Sequence, residues 1–126
     1  KGLGMVHAIS HMVGAEYDTQ HGLTNAIVLP AVLRYNLPGM EPKVCRMAEA
    51  MRLPDSSVEG FVGAIERLMD DLSIPKALGD DGVPRDCAGR IAAKALEDSA
   101  AATNPRQATL AEATVLVETA IARARP

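Results

Sequence analysis

The chain has 126 residues, 48% of them hydrophobic, which is enough to bury one core, so the composition predicts a single domain over residues 1–126. A net charge of −3 and an aromatic content of 2% argue against a nucleic-acid partner, because such surfaces are basic and often carry stacking rings. Two cysteines without a CxxC pair predict a reduced, cytoplasmic protein. The apolar stretch at residues 22–33 is shorter than the roughly 20 residues that span a bilayer, which argues against a membrane partner.

Two buried helices are predicted at the start of the chain. Residues 4–15 are almost entirely apolar on every side, which is typical of a helix inside a core, and Gly14 is expected to end it. Residues 16–20 are polar and predict a loop. A second uncharged helix is predicted over residues 21–35, with Pro30 as a kink or break.

Four amphipathic helices are predicted after the turn at residues 36–39. They lie at residues 41–51, after the capping box Ser56–Glu59, at residues 85–98, and after the capping box Thr109–Glu112. Residues 74–84 and 104–106 carry glycines or prolines and predict loops. The residues expected to face inward are Val44, Met47, Ala48 and Met51, then Val58, Phe61, Val62, Ile65, Leu68 and Leu72, and finally Leu110, Ala113, Val117 and Ile121. No stretch alternates with period two, so the predicted fold class is all-α, a bundle of six helices without a sheet.

All three histidines lie within the first 21 residues, as His7, His11 and His21. Imidazole is the commonest protein ligand of transition metals, so this cluster indicates a metal site. From spacing alone, His7 and His11 lie one helical turn apart, with Cβ atoms about 5–6 Å from each other, and they could chelate one ion. Ordinary hydrogen-bonded core histidines are the alternative. Ala8 stands where a helical zinc protease has its catalytic Glu, which disfavours hydrolytic zinc chemistry.

The histidines belong to a longer series of motifs. In order, these are His7-x3-His11, Gly14-Ala15-Glu16-Tyr17-Asp18, His21-Gly22, Asn25-Ala26, Leu29-Pro30, Ser73-Ile74-Pro75 with Leu78 and Gly82-Val83, Leu96-Glu97-Asp98, and Thr103-Asn104-Pro105-Arg106. The series resembles the C-terminal helical domain of the iron-containing (group III) alcohol dehydrogenases. The resemblance spans essentially all 126 residues. Met12 departs from it, because many members have proline there.

The resemblance implies a role for each histidine. His7 and His21 would be metal ligands, and His11 would lie beside the metal near the nicotinamide, as a catalytic and cofactor-binding residue. The implied metal is Fe²⁺, with Zn²⁺ as the alternative. The implied substrate is a small alcohol or aldehyde, which exchanges hydride with NAD or NADP.

The resemblance also implies a partner domain. In the family, an N-terminal nucleotide-binding domain holds most of the NAD or NADP and supplies an Asp and another His to the metal. This chain starts at Lys1 without an initiator methionine, so it is expected to be a fragment that lacks this domain. An isolated fragment of this kind is expected to be inactive.

Two other interpretations stay open at this point. One is a glycerol-dehydrogenase-like zinc enzyme that acts on polyols. The other is a non-catalytic helical interaction module whose histidines are structural. The sequence is compatible with a homo-oligomer, and it does not identify the alcohol or choose between NAD and NADP.

Overall fold

Two long helices form the first third of the computed structural model, which describes residues 2–122. Helix α1 spans Met5–Tyr17 and helix α2 spans His21–Asn36, as the two apolar stretches predict. The prediction that Gly14 ends α1 is wrong. The helix ends instead at Asp18, whose φ of 53° is left-handed and whose backbone N–H donates to the Gly14 carbonyl at 3.0 Å. Gly14 therefore only supplies the acceptor that closes the helix.

Helix α2 continues through Pro30 without a break. A proline inside a helix removes one backbone hydrogen bond, so packing must offset that loss. The ring of Pro30 is buried, and so are its neighbours Val28, Ala31 and Val32. Of the kink or break predicted at Pro30, the break is wrong, because burial on this side of α2 holds the helix together, and the kink stays a prediction.

The remaining helices follow the predicted order. They are α3 at Glu41–Ala50, α4 at Val58–Asp71, α5 at Ala88–Glu97, α6 at Ser99–Ala102 and α7 at Leu110–Ala122, with 3-10 turns at Leu78–Asp81 and Arg85–Cys87. Across residues 2–122 there is no strand, which confirms the all-α class. The six-helix prediction misses the short α6. In the same part of the chain, no helix is both long and apolar enough to cross a membrane.

The core has a larger and a smaller part. The larger part packs α1, α2, α5, α6 and α7 together, with Ile9, Ile27, Ile91 and Val117 completely buried. The smaller part lies between the end of α2, α3 and α4, and it contains Leu37, Val44, Phe61 and Val62. Helix α2 contributes to both parts, and its packed residues begin at Leu23, two positions after His21.

The predicted inward faces are correct only in part. Met47, Met51, Leu68, Leu72 and Leu110 are all at least 38% exposed, so their predicted burial is wrong. The other predicted core positions of α3, α4 and α7 are buried or half-buried. The buried face of α4 includes Glu66 and Met69 in place of Leu68 and Leu72. Apolar spacing misses this face because Glu66 is buried as a partner of Arg34 of α2.

One of the two predicted capping boxes is confirmed. At α7 the Glu112 N–H donates to Thr109 Oγ1, and the Thr109 N–H donates to Glu112 Oε1, both at 3.2 Å. At α4 the predicted cap, Ser56, is wrong. Ser57 Oγ accepts from the Gly60 N–H at 3.1 Å instead, and Glu59 pairs with Arg34.

Candidate metal centre

The loop between α1 and α2 brings the three histidines together. His7 and His11 lie one turn apart on α1, and His21 is the first residue of α2. The ring centroids of His7 and His21 are 5.5 Å apart, those of His11 and His21 are 5.6 Å apart, and those of His7 and His11 are 6.0 Å apart. His7 and His11 are half-buried and His21 is exposed, so the cluster opens to the surface.

His7 and His21 converge on the side chain of Asn25. The Nδ2 atom of Asn25 lies 3.2 Å from Nε2 of His21 and 3.5 Å from Nε2 of His7. The Nε2 atoms of both histidines therefore lie beside the same amide group. The Oδ1 atom of Asn25 is buried and has no hydrogen-bond partner. Two imidazole nitrogens beside the same side chain are an arrangement from which both could ligate one divalent transition metal.

His11 is oriented differently from the other two histidines. Its Nδ1 lies 3.0 Å from Oδ2 of Asp98, at the junction of α5 and α6. Its ring stacks on that of His21 with an angle of 13° between the planes. Hydrogen bonds from the Ala100 N–H and then from His11 lower the pKa of Asp98 below its usual value. Asp98 was not predicted as a site residue, since no local pattern connects it to a histidine 87 residues earlier in the chain.

Among residues 2–122, no three His, Cys, Asp or Glu side chains are arranged so that they could hold a metal ion by themselves. Asp18, the carboxylate nearest in sequence to His21, is exposed in the loop. Two imidazoles fall short of the four to six ligands that such an ion takes. The described residues therefore supply two neighbouring imidazoles at the surface, and they do not form a complete metal site by themselves.

The first turn of α1 is fixed by Asn104, which lies in the loop between α6 and α7 and is 5% exposed. Its Oδ1 accepts from the Met5 N–H at 3.1 Å and from Asn36 Nδ2 at 3.0 Å. Its Nδ2 donates to Asn36 Oδ1 at 2.8 Å and to the Arg106 carbonyl at 2.6 Å. These bonds join the start of α1, the end of α2 and the segment before α7. The α1 residue that they hold, Met5, lies two residues before His7.

The last turn of α1 is fixed by Glu16. Its carboxylate accepts from Arg90 and Lys94 of α5, each at 2.9 Å. Arg90 also donates to the Tyr17 hydroxyl at 3.1 Å. The helix that carries His7 and His11 is therefore held at both ends, which restricts the movement of these two rings.

Comparison with known proteins gives consistent matches over this whole region. The model of the Fe-containing alcohol dehydrogenase family, C-terminal part, matches residues 1–121. Lactaldehyde reductase of Escherichia coli K12 is 39% identical over 94% of this chain and 33% of its own length. The NAD-dependent methanol dehydrogenase of Bacillus methanolicus is 32% identical over 95% of this chain and 33% of its own length. The crystal structure of a 1,3-propanediol oxidoreductase superposes with a TM-score of 0.89 at 37% identity, over 94% of this chain and 33% of that protein. The chain thus spans about a third of the length of these relatives.

Proposed function

This chain belongs to the iron-containing alcohol dehydrogenase family, and we propose that it is the metal-binding helical part of an NAD(P)-dependent enzyme that interconverts a small alcohol and its aldehyde. The observation that carries the proposal is that the His7 and His21 rings lie 5.5 Å apart, with Nε2 of each beside the Asn25 side chain. The names of the two curated relatives, a lactaldehyde reductase and a methanol dehydrogenase, support a small substrate.

His7 and His21 are the residues that would hold the metal. We propose Fe²⁺, after the metal in the family's name, with Zn²⁺ as the alternative. The open side of the site leaves room for an Asp and another His from a nucleotide-binding part of the enzyme, so the complete centre would lie between two parts. When bound, the metal supplies Lewis-acid polarisation of the substrate oxygen.

The proposed role of His11 is to move a proton. It stacks on His21, but its Nδ1 contacts Asp98, whereas Nε2 of His7 and of His21 contacts Asn25. In alcohol oxidation the hydroxyl proton has to leave the substrate while hydride goes to the nicotinamide. In this proposal His11 accepts that proton and passes it to solvent, and it would lie beside the cofactor in the complete enzyme.

Three single alanine variants of the full-length protein that contains this chain test the assignment. His7→Ala and His21→Ala should lose both bound metal and alcohol-dependent reduction of NAD or NADP, because metal affinity depends steeply on ligand count. His11→Ala should keep the metal, whereas its turnover should fall by about 10²–10⁴-fold, the usual contribution of a general acid or base. Metal analysis and steady-state kinetics measure the two effects.

His11→Ala serves as the matched control for metal content, since all three variants remove one imidazole from the same cluster. The assignment is wrong if His11→Ala loses metal as fully as His7→Ala while His21→Ala keeps it. Stoichiometric zinc with a polyol preference would indicate the glycerol-dehydrogenase-like enzyme. A protein without stoichiometric metal would indicate structural histidines.

A further inference from the structure

Asp98 makes the contact that sets the orientation of His11. We infer that Asp98 is a positioning residue, which holds the His11 ring with hydrogen on Nδ1 and leaves Nε2 free to accept a proton. The catalytic consequence rests on the function proposed above. The tautomer itself does not depend on that function.

The backbone around Asp98 fixes its carboxylate before His11 is considered. Asp98 is the N-cap of α6, with φ −70° and ψ 138°, and its Oδ1 accepts from the Ala100 N–H at 2.8 Å. One oxygen is therefore held by the backbone. The other oxygen, Oδ2, is directed at His11 Nδ1 at 3.0 Å, and only 14% of the Asp98 side chain is exposed.

The charge of Asp98 decides which atom donates. The Ala100 N–H and then His11 lower the pKa of the carboxyl group, so it is ionised near neutral pH. A carboxylate has only acceptor atoms, and therefore the hydrogen of this contact belongs to His11 Nδ1. A neutral imidazole carries one hydrogen, which leaves the lone pair on Nε2.

This tautomer is the one that a proton acceptor needs. When the substrate O–H bond breaks, its proton forms an N–H bond at Nε2, and the ring becomes a cation. The carboxylate of Asp98 stabilises that cation from the opposite side of the ring. The stack on His21, with 13° between the planes, limits rotation of His11 out of this orientation.

Asp98→Asn separates the positioning role from the capping role. The backbone N–H of Ala100 can only donate, so the asparagine must turn its oxygen to Ala100 and its NH₂ to His11. The α6 cap is kept, because Asn is as good an N-cap as Asp. The NH₂ then donates to Nδ1, which forces the hydrogen of His11 onto Nε2. Glu97→Gln is the matched control, since it makes the same chemical change at the exposed neighbouring residue.

The tautomer is read by long-range ¹H–¹⁵N correlation spectra of the metal-free chain. We expect Nδ1 of His11 to be protonated in the wild type and in Glu97→Gln, and unprotonated in Asp98→Asn. In the full-length enzyme, Asp98→Asn should lower kcat by about 10²-fold at unchanged metal content, and Glu97→Gln should leave kcat near the wild-type value.

A wild-type spectrum with hydrogen on Nε2, or an Asp98→Asn spectrum like that of the wild type, would overturn the inference even if the enzyme is an alcohol dehydrogenase. A wild-type kcat in Asp98→Asn would overturn its catalytic part. A wild-type enzyme without alcohol-dependent NAD(P) reduction would overturn the proposed function instead, and the spectra would still decide the role of Asp98.

Discussion

Glu16 connects the end of the histidine-bearing helix to α5 through two cations. Hydrogen bonds from Arg90 and then from Lys94 lower the pKa of Glu16 from 4.5 to about 2. A carboxyl group whose pKa is lower in the folded state stabilises the fold at pH values above its unfolded pKa. That stabilisation is lost as the pH falls through the folded value. For Glu16 the loss falls between pH 4.5 and about 2.

We therefore predict a pH-dependent effect of Glu16→Gln. The variant should unfold at lower urea concentration than the wild type at neutral pH, and the difference should shrink below pH 4.5 and close near pH 2. Urea unfolding at a series of pH values measures this. In a background that already carries Arg90→Gln and Lys94→Gln, the same substitution should have almost no pH-dependent effect. A difference that persists at pH 2 would contradict the prediction.

The elements show where local patterns predict structure and where they do not. The Thr109–Glu112 capping box was predicted because all its atoms lie within four residues. The burial of Glu66 was missed because it depends on Arg34, 32 residues earlier. The candidate site, too, could be predicted from the sequence only in part. The histidines carry a recognisable motif, whereas Asp98 joins them only through the packing of α5 and α6 on α1.

The cap of α4 gives a direct test at this scale. Ser57→Ala should lower the free energy of unfolding by about 1 kcal/mol, because the Gly60 N–H loses its acceptor. Ser56→Ala is the matched control one residue earlier, and its effect should stay within about 0.5 kcal/mol. Chemical denaturation of both variants measures the difference. A larger loss of stability in Ser56→Ala than in Ser57→Ala would indicate that Ser56 is the cap, and it would contradict the structure.

At the scale of the whole molecule, Asn104 joins three distant segments. Asn104→Ala removes its bonds to Met5, Asn36 and Arg106 from a buried position. We expect a loss of about 3 kcal/mol in the free energy of unfolding, since buried donors and acceptors are left without partners. Gln107→Ala removes two hydrogen bonds that this exposed side chain donates to the Ala102 and Asn104 carbonyls, and it should cost less than about 0.5 kcal/mol. Equal losses in the two variants, measured by urea unfolding, would contradict this role of Asn104.

The position of Asn104 and Asp98 late in the chain has a consequence for synthesis. A ribosome makes the three histidines before Asn104, and it adds the 83 residues from His21 to Asn104 over roughly 4–17 s at typical rates. Before Asn104 is made, the Met5 N–H lacks the side-chain oxygen to which it donates in the folded protein. Before Asp98 is made, His11 lacks its carboxylate partner. The nascent chain therefore carries three imidazoles whose relative positions are not yet fixed by these contacts. For the metal site proposed above, selective loading would therefore have to follow translation of the last third of this chain.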